Sequence, residues 1–177
     1  QRMNRNELAS TIKELAVLRG DFLLRSGARA AVFFDKYQFE SQPAVLSALA
    51  DHLAPLVPSG VDALAGLELG GVPIATALSL RTGLPAIFVR KRAKEYGTAR
   101  LAEGGEIAGR RLLIIEDVVT SGGQVVASCA ALRSLGAKVD HALCVVDRDQ
   151  GGHGALAEVG VTLVSLFKHD AILSSAG

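Results

Sequence analysis

Apolar positions recur along the chain at two alternating periods, near 3.6 and near 2, and these divide it into alternating helices and strands. Asn6–Leu18 places Leu8, Ile12, Leu15 and Val17 or Leu18 near one face, the pattern of an amphipathic helix. Phe22–Leu24 and Ala31–Phe34 read as short strands around the turn Arg25-Ser-Gly-Ala-Arg29. Ser41-Gln-Pro43 opens a helix with a hydroxyl followed by proline in the first turn, and Pro58-Ser-Gly60 ends it after about Val57. Strands are then predicted at Ala63–Leu67, Ala86–Val89, Arg111–Ile115, Val139–Val146 and Val161–Leu166. Helices are predicted at Val72–Arg81, Gly122–Leu135 and Ala155–Val159. Runs such as Leu112-Leu-Ile-Ile115 are apolar on both faces, as strands buried in a parallel sheet are. The expected class is therefore α/β, a twisted, mainly parallel sheet flanked by helices. Ligands of such sheets collect at the carboxyl ends of the strands.

Composition narrows the function classes. The 177 residues fit a single domain, and 49% apolar content with 21% charged is enough to bury a core. Nineteen Lys and Arg against eighteen Asp and Glu leave a net charge of +1, which argues against a general nucleic-acid binder. The longest uncharged stretch, Val118–Leu132, is too short and too polar to span a membrane, and no N-terminal apolar segment resembles a signal peptide. A cytoplasmic protein with its natural start at Met3 is expected. Cys129 and Cys144 lie among apolar neighbours and read as small buried hydrophobes, and the four histidines lack metal-ligand spacing.

The most informative stretch runs Leu112-Leu-Ile-Ile-Glu116-Asp117-Val118-Val119-Thr120-Ser121-Gly122-Gly123-Gln124. A buried strand meets two carboxylates, then a small-residue turn, then a helix start. Two hydroxyls and unhindered backbone N–H groups at the positive end of a helix suit a phosphate monoester. The carboxylates repel phosphate and suit sugar hydroxyls or a metal ion instead. A phosphorylated sugar fits this turn, and the alternative is a plain acidic strand end capped by a Thr-Ser turn. No Lys follows the glycines, so this is no Walker loop, and the acids precede the glycines, so it is no dinucleotide fingerprint. Upstream, Arg90, Lys91, Arg92 and Lys94 against Glu95 put a charge of +3 into six residues, within a stretch that lacks apolar periodicity through about Glu106. Such a segment is either a lid over an anionic substrate or a solvated loop. Gly70-Gly71-Val72-Pro73 permits close backbone approach to an anion, or is an ordinary helix start. Of Phe33 and Phe34, adjacent on a strand, one must face opposite to the other.

The acid-pair stretch resembles the phosphoribosyl-diphosphate (PRPP) motif of type I phosphoribosyltransferases. The segment Phe88-Val-Arg90-Lys91-Arg92-Ala-Lys94-Glu95-Tyr96-Gly97-Thr98, continuing to Gly104, resembles the mobile catalytic loop of the orotate branch. Phe33-Phe34-Asp35 after Arg25-Ser-Gly27, and Val146-Asp147-Arg148-Asp-Gln-Gly-Gly152, agree with it, so the resemblance spans roughly Phe22 to Phe167. It implies the type I fold with a small N-terminal hood (about 1–40), a PRPP-binding core (about 41–170) and a mobile loop at 93–106. It also implies transfer of 5-phosphoribosyl from PRPP to orotate, with Mg²⁺ travelling on the diphosphate, in a cytoplasmic homodimer without nucleic-acid or membrane partners.

The resemblance carries roles residue by residue. Glu116 and Asp117 would anchor the ribose hydroxyls, and the turn from Val118 and Val119 through Thr120, Ser121, Gly122, Gly123 and Gln124 would hold the 5′-phosphate. Gly70 and Gly71 would meet the diphosphate with backbone groups, where some family members carry a lysine. Lys94 would stabilise the leaving diphosphate, acting with Arg90 and Tyr96 across the subunit interface, while Lys91 serves its own site. Phe33, Phe34, Thr120 and Arg148 would contact orotate, Arg148 through its carboxylate or ring carbonyls; the alternative for Arg148 is an ion pair with Asp147 or Asp149. The chain departs from the family pattern at Arg25, where a lysine is common beside the diphosphate, and at Tyr96, where histidine is common. Competing readings are a phosphoribosyltransferase for another base and a non-catalytic PRPP-binding regulator.

Overall fold

The computed structural model describes residues 2–176. Helix α1 (Arg5–Ala16) is started by a reciprocal cap, in which the Asn4 side chain accepts from Glu7 N–H and the Glu7 carboxylate accepts from Asn4 N–H. Its Leu8, Ile12 and Ala16, one turn apart, are fully buried. The helix stops two residues before the expected Leu18, because Val17 is already extended and begins strand β1 (Val17–Leu23). Val17 and Leu18 continue the apolar pattern but pair with Phe34 and Phe33 of β2 (Arg29–Phe34) in an antiparallel hairpin that forms a separate two-stranded sheet.

A four-residue helix α2 (Tyr37–Glu40) follows, then α3 (Pro43–Leu53), whose last apolar residues tighten into a 3₁₀ turn at Ala54–Leu56 rather than extending the helix to Val57. The main sheet comprises β3 (Ala63–Leu67), β4 (Ala86–Val89), β5 (Ala102–Glu103), β6 (Arg111–Val119), β7 (Lys138–Asp147) and β8 (Thr162–Lys168). Its spatial order is β5-β4-β3-β6-β7-β8, parallel except for the short edge strand β5. The connecting helices are α4 (Gly71–Thr82), α5 (Gly123–Ser134) and α6 (Gly152–Glu158), and α7 (His169–Leu173) closes the chain.

Alternation along β6 shows why both faces of the sheet are apolar. Leu113 and Ile115 pack with α1, α3 and α4, whereas Leu112 and Ile114 pack with Val125, Cys129 and Leu132 of α5. The expected α/β architecture is present, and α1 belongs to one of these two cores rather than standing apart with the hairpin. Strand β6 runs four residues past the expected Ile115, since Glu116, Val118 and Val119 stay in register with Cys144, Val146 and Asp147 of β7. The acid pair therefore sits on the strand's last turn of pleat, not in the loop beyond it. Among the described residues no helix is long and apolar enough to cross a membrane.

Strand order reverses between β3 and β6: the chain leaves β3 toward β4 on one side and leaves β6 toward β7 on the other. A crevice opens at such a switch point, outside the carboxyl ends of the two strands. Gly70 and Gly71 lie on one lip and Glu116-Asp117 on the other.

Candidate active site

The two lips touch. A Cβ on Gly70 would fall 1.7 Å from Asp117 Oδ2, and one on Gly71 would fall 2.4 Å from the Ile115 carbonyl, so only glycine lets β3's exit pass this close to β6. The peptide between Glu68 and Leu69, just before, is cis. Asp117 is wholly buried. Its Oδ1 accepts from Val118 N–H at 2.7 Å, and its Oδ2 lies 2.9 Å from Lys36 Nζ. Glu116 is partly exposed and accepts from Asp117 N–H at 3.0 Å. Glu40, only 4% exposed, faces the same carboxylate, and neither of its oxygens has a hydrogen-bond donor.

Three carboxyl groups thus share one cation. Burial pushes Glu40 up to about 10, helped by a hydrogen bond to Asp117 and by its charge; protonated, Glu40 becomes the donor it otherwise lacks. Burial and the Asp117 charge likewise raise Glu116. Burial opposes ionisation of Asp117 too, but hydrogen bonds from Glu40 and Glu116 and the Lys36 ammonium outweigh it and hold Asp117 below the usual range. For Lys36 itself, burial is outweighed by Asp117, and its value rises.

Beyond Val119 the chain turns through exposed Thr120 and Ser121 into α5. Gly122 adopts the left-handed conformation (φ 84°) that this turn requires, and no side chain caps the helix, leaving its first N–H groups for a ligand. The turn rests on the next strand's exit. Arg148 N–H donates to the Val119 carbonyl at 2.9 Å, and a Cβ on Gly152 would fall 2.5 Å from Val119 Cγ1.

Lys168 Nζ reaches both Asp147 (2.8 Å) and Asp149 (3.3 Å). Neither acid is therefore left for Arg148, whose buried Nε has no hydrogen-bond partner among the described residues, and the alternative ion pair for Arg148 is not formed. His169, edge-on to Phe34 at 5.4 Å, is lowered by burial and by the Arg148 charge. Phe34 also packs on Phe39, while Phe33 faces the other way, 40% exposed and tilted against Phe22.

The basic segment is not featureless. It is pinned at β5, which pairs antiparallel with β4, and Glu103 there takes Lys94 Nζ at 2.7 Å and Arg90 at 3.6 Å. The Tyr96 ring lies 5.6 Å from the same ammonium. Lys91 N–H donates to the Glu68 side chain, tying the segment to the loop beside Gly70. Arg25 is exposed in the hairpin turn, with no ion pair among the described residues.

Residues 37–159 match the phosphoribosyl transferase domain. The chain is 53% identical over 154 residues to an orotate phosphoribosyltransferase of Nocardioides sp., covering 87% of this chain and 86% of that protein. The chain belongs to the orotate phosphoribosyltransferase family. Two crystal structures of the Mycobacterium tuberculosis H37Rv orotate phosphoribosyltransferase have the same fold. The complex with Fe(III) dicitrate gives a TM-score of 0.86 at 31% identity, over 95% of this chain and 98% of that one. The complex with PRPP gives 0.82 at 28% identity, over 95% and 98%.

For a member of the orotate phosphoribosyltransferase family, the fold brings Gly70, Gly71, Glu116, Asp117 and the Thr120–Gln124 turn to one crevice, and packs Phe34 against Phe39 and His169. It groups Arg90, Lys94 and Tyr96 around Glu103 instead of at the acids. Sequence reasoning missed Lys36, Glu40, Glu103, Lys168 and His169. Lys36 and Glu40 carry a usable signal: they are charges within and directly after the aromatic-rich run Phe33–Phe39.

Proposed function

We propose that the chain transfers a 5-phosphoribosyl group from PRPP to orotate, giving orotidine 5′-monophosphate and diphosphate, as one step of pyrimidine nucleotide synthesis. The observation that carries the base assignment is Arg148: a partly buried guanidinium whose Nε has no hydrogen-bond partner among the described residues and which Lys168 relieves of its acidic neighbours. An anionic planar base supplies what that site lacks, since a carboxylate accepts two parallel N–H bonds from a guanidinium. A purine offers no such carboxylate. The regulator reading would leave Arg148 and the cationic segment without a task.

PRPP lies across the switch-point crevice in this reading. Its 5′-phosphate meets the uncapped start of α5, with Thr120, Ser121 and Gln124 at hand. Its ribose hydroxyls meet Glu116, with Asp117 beneath, and its diphosphate meets the backbone at Gly70 and Gly71. Mg²⁺ fits this chain as a passenger of the substrate: Asp117 already faces an ammonium, and Mg²⁺ usually keeps waters and substrate phosphate oxygens as most of its ligands. When bound, it neutralises diphosphate charge.

The bond from C1′ to the diphosphate oxygen breaks as the bond from C1′ to the base nitrogen forms. Negative charge builds on the leaving oxygens, and Lys94, released from Glu103, is the cation assigned to it. Arg90 and Tyr96 accompany it and Lys91 stays with its own chain's loop. Arg25 is assigned to the diphosphate by its position in the family pattern, and Phe33 and Thr120 to the base.

The reading includes a homodimer sharing this segment; separately, an apolar groove of ≈ 550 Å³ between α3 and α4, lined by Pro43, Leu46, Ala50, Pro73, Ala77 and the 86% exposed Leu80, offers a surface for a second copy to cover. The test is direct: purified protein with PRPP, Mg²⁺ and a panel of orotate, uracil, adenine and hypoxanthine. Product with orotate alone is expected, and turnover of a purine in preference to orotate refutes the assignment.

A further inference from the structure

We propose that Lys36 is a positioning residue of the sugar site, its ammonium fixing the Asp117 carboxylate beside Glu116 and offsetting the negative charge that the acid cluster presents to an anionic substrate. The inference rests on the phosphoribosyl-transfer reading and names a residue that reading does not use. Asp117 is fully buried and the Lys36 side chain is 32% exposed, so the ammonium lies between the carboxylate and solvent, at the mouth of the crevice. Oδ1 of Asp117 accepts from Val118 N–H, whereas buried Oδ2 has no hydrogen-bond donor among the described residues and has the Lys36 ammonium as its ion-pair partner.

Without that cation, Asp117 would face Glu40 and Glu116 with no counter-charge within ion-pair distance, since Lys36 is its sole salt-bridge partner among the described residues. A buried carboxylate left without a counter-charge moves or takes up a proton. PRPP carries a phosphate and a diphosphate, so an uncompensated Asp117 carboxylate beside its ribose would also repel it. Lys36 stands two residues after Phe34, which packs edge-on to His169. One short segment therefore carries both the aromatic residue assigned to the base and the ammonium facing the sugar-site carboxylate.

The test is steady-state kinetics on wild type, Lys36→Gln and Lys36→Arg, with thermal melting on each. Gln keeps a hydrogen-bond donor for Asp117 and lacks the charge; Arg keeps the charge. Lys36→Gln is expected to raise the KM for PRPP by about tenfold or more, to change the KM for orotate by less than about twofold, and to melt near the wild type. Lys36→Arg is expected to restore most of the PRPP affinity. A wild-type KM for PRPP in Lys36→Gln overturns the proposal, as does an equal loss for both substrates that arginine does not rescue. Absence of PRPP-dependent product from the wild type overturns the functional reading instead.

Discussion

Replacing Glu40 by glutamine removes the proton around which the buried acid cluster is organised. Glu40 is 4% exposed and its carboxyl is pushed up to about 10, by burial first and by Asp117 second. A glutamate in the unfolded chain ionises near 4.3. A group raised on folding contributes its full stability below the unfolded value and loses it as pH climbs toward the folded one, so the window opens near pH 4.5 and closes near 10. Each pH unit inside the window costs about 1.4 kcal/mol for a full shift. Allowing for water reaching the crevice, the carboxyl weakens the fold by on the order of 2–3 kcal/mol at pH 7. Glutamine has the same shape, donates N–H to Asp117 and has no proton to lose. Urea unfolding from pH 5 to 8 should show little difference between wild type and Glu40→Gln at pH 5, and a gap widening to about 2–3 kcal/mol in the variant's favour by pH 7–8, with unchanged slope. A gap that is constant with pH, or a variant that is the less stable of the two at pH 8, refutes the reasoning.

Three further outcomes follow from the site. Lys94→Ala should lower kcat about 10²–10³-fold with an unchanged melting temperature, because the residue lies in a surface segment; a kcat within about threefold of wild type removes Lys94 from the leaving-group role. Arg148→Ala should raise the KM for orotate about tenfold to a hundredfold, the worth of a charged hydrogen bond, and leave PRPP binding by calorimetry nearly intact; matched losses contradict the base assignment. Gly70→Ala places a methyl 1.7 Å from Asp117 Oδ2 and should cost about 1–3 kcal/mol of stability together with PRPP affinity, and a variant that binds PRPP normally shows that the carboxylate can move aside.

The sheet was legible because its strands are apolar on both faces and bounded by glycine and proline; β3 and β4 begin and end where the pattern puts them. The uncapped turn from β6 into α5 was legible because small residues and glycines follow directly on a buried strand. What escaped has a common physical origin. Val17 and Leu18 satisfy a helical stripe and a strand equally, and only their pairing with Phe34 and Phe33 decides between them. β5 and α7 are too short to show a period, and β5 exists only because β4 offers it an edge. Lys36, Glu40 and Lys168 take their roles from partners distant in the chain, Asp117 for the first two and Asp147 and Asp149 for the third, which no local pattern names.

The wedge between the turn after β6 and the turn after β7 has a mechanical consequence. Because Gly152 abuts Val119 and the Thr120 carbonyl, while Arg148 is bonded through its own amide to Val119, main chain locks the two turns together. A shift of one is carried to the other, so under the proposed assignment the phosphate end and the base end of the site move in step.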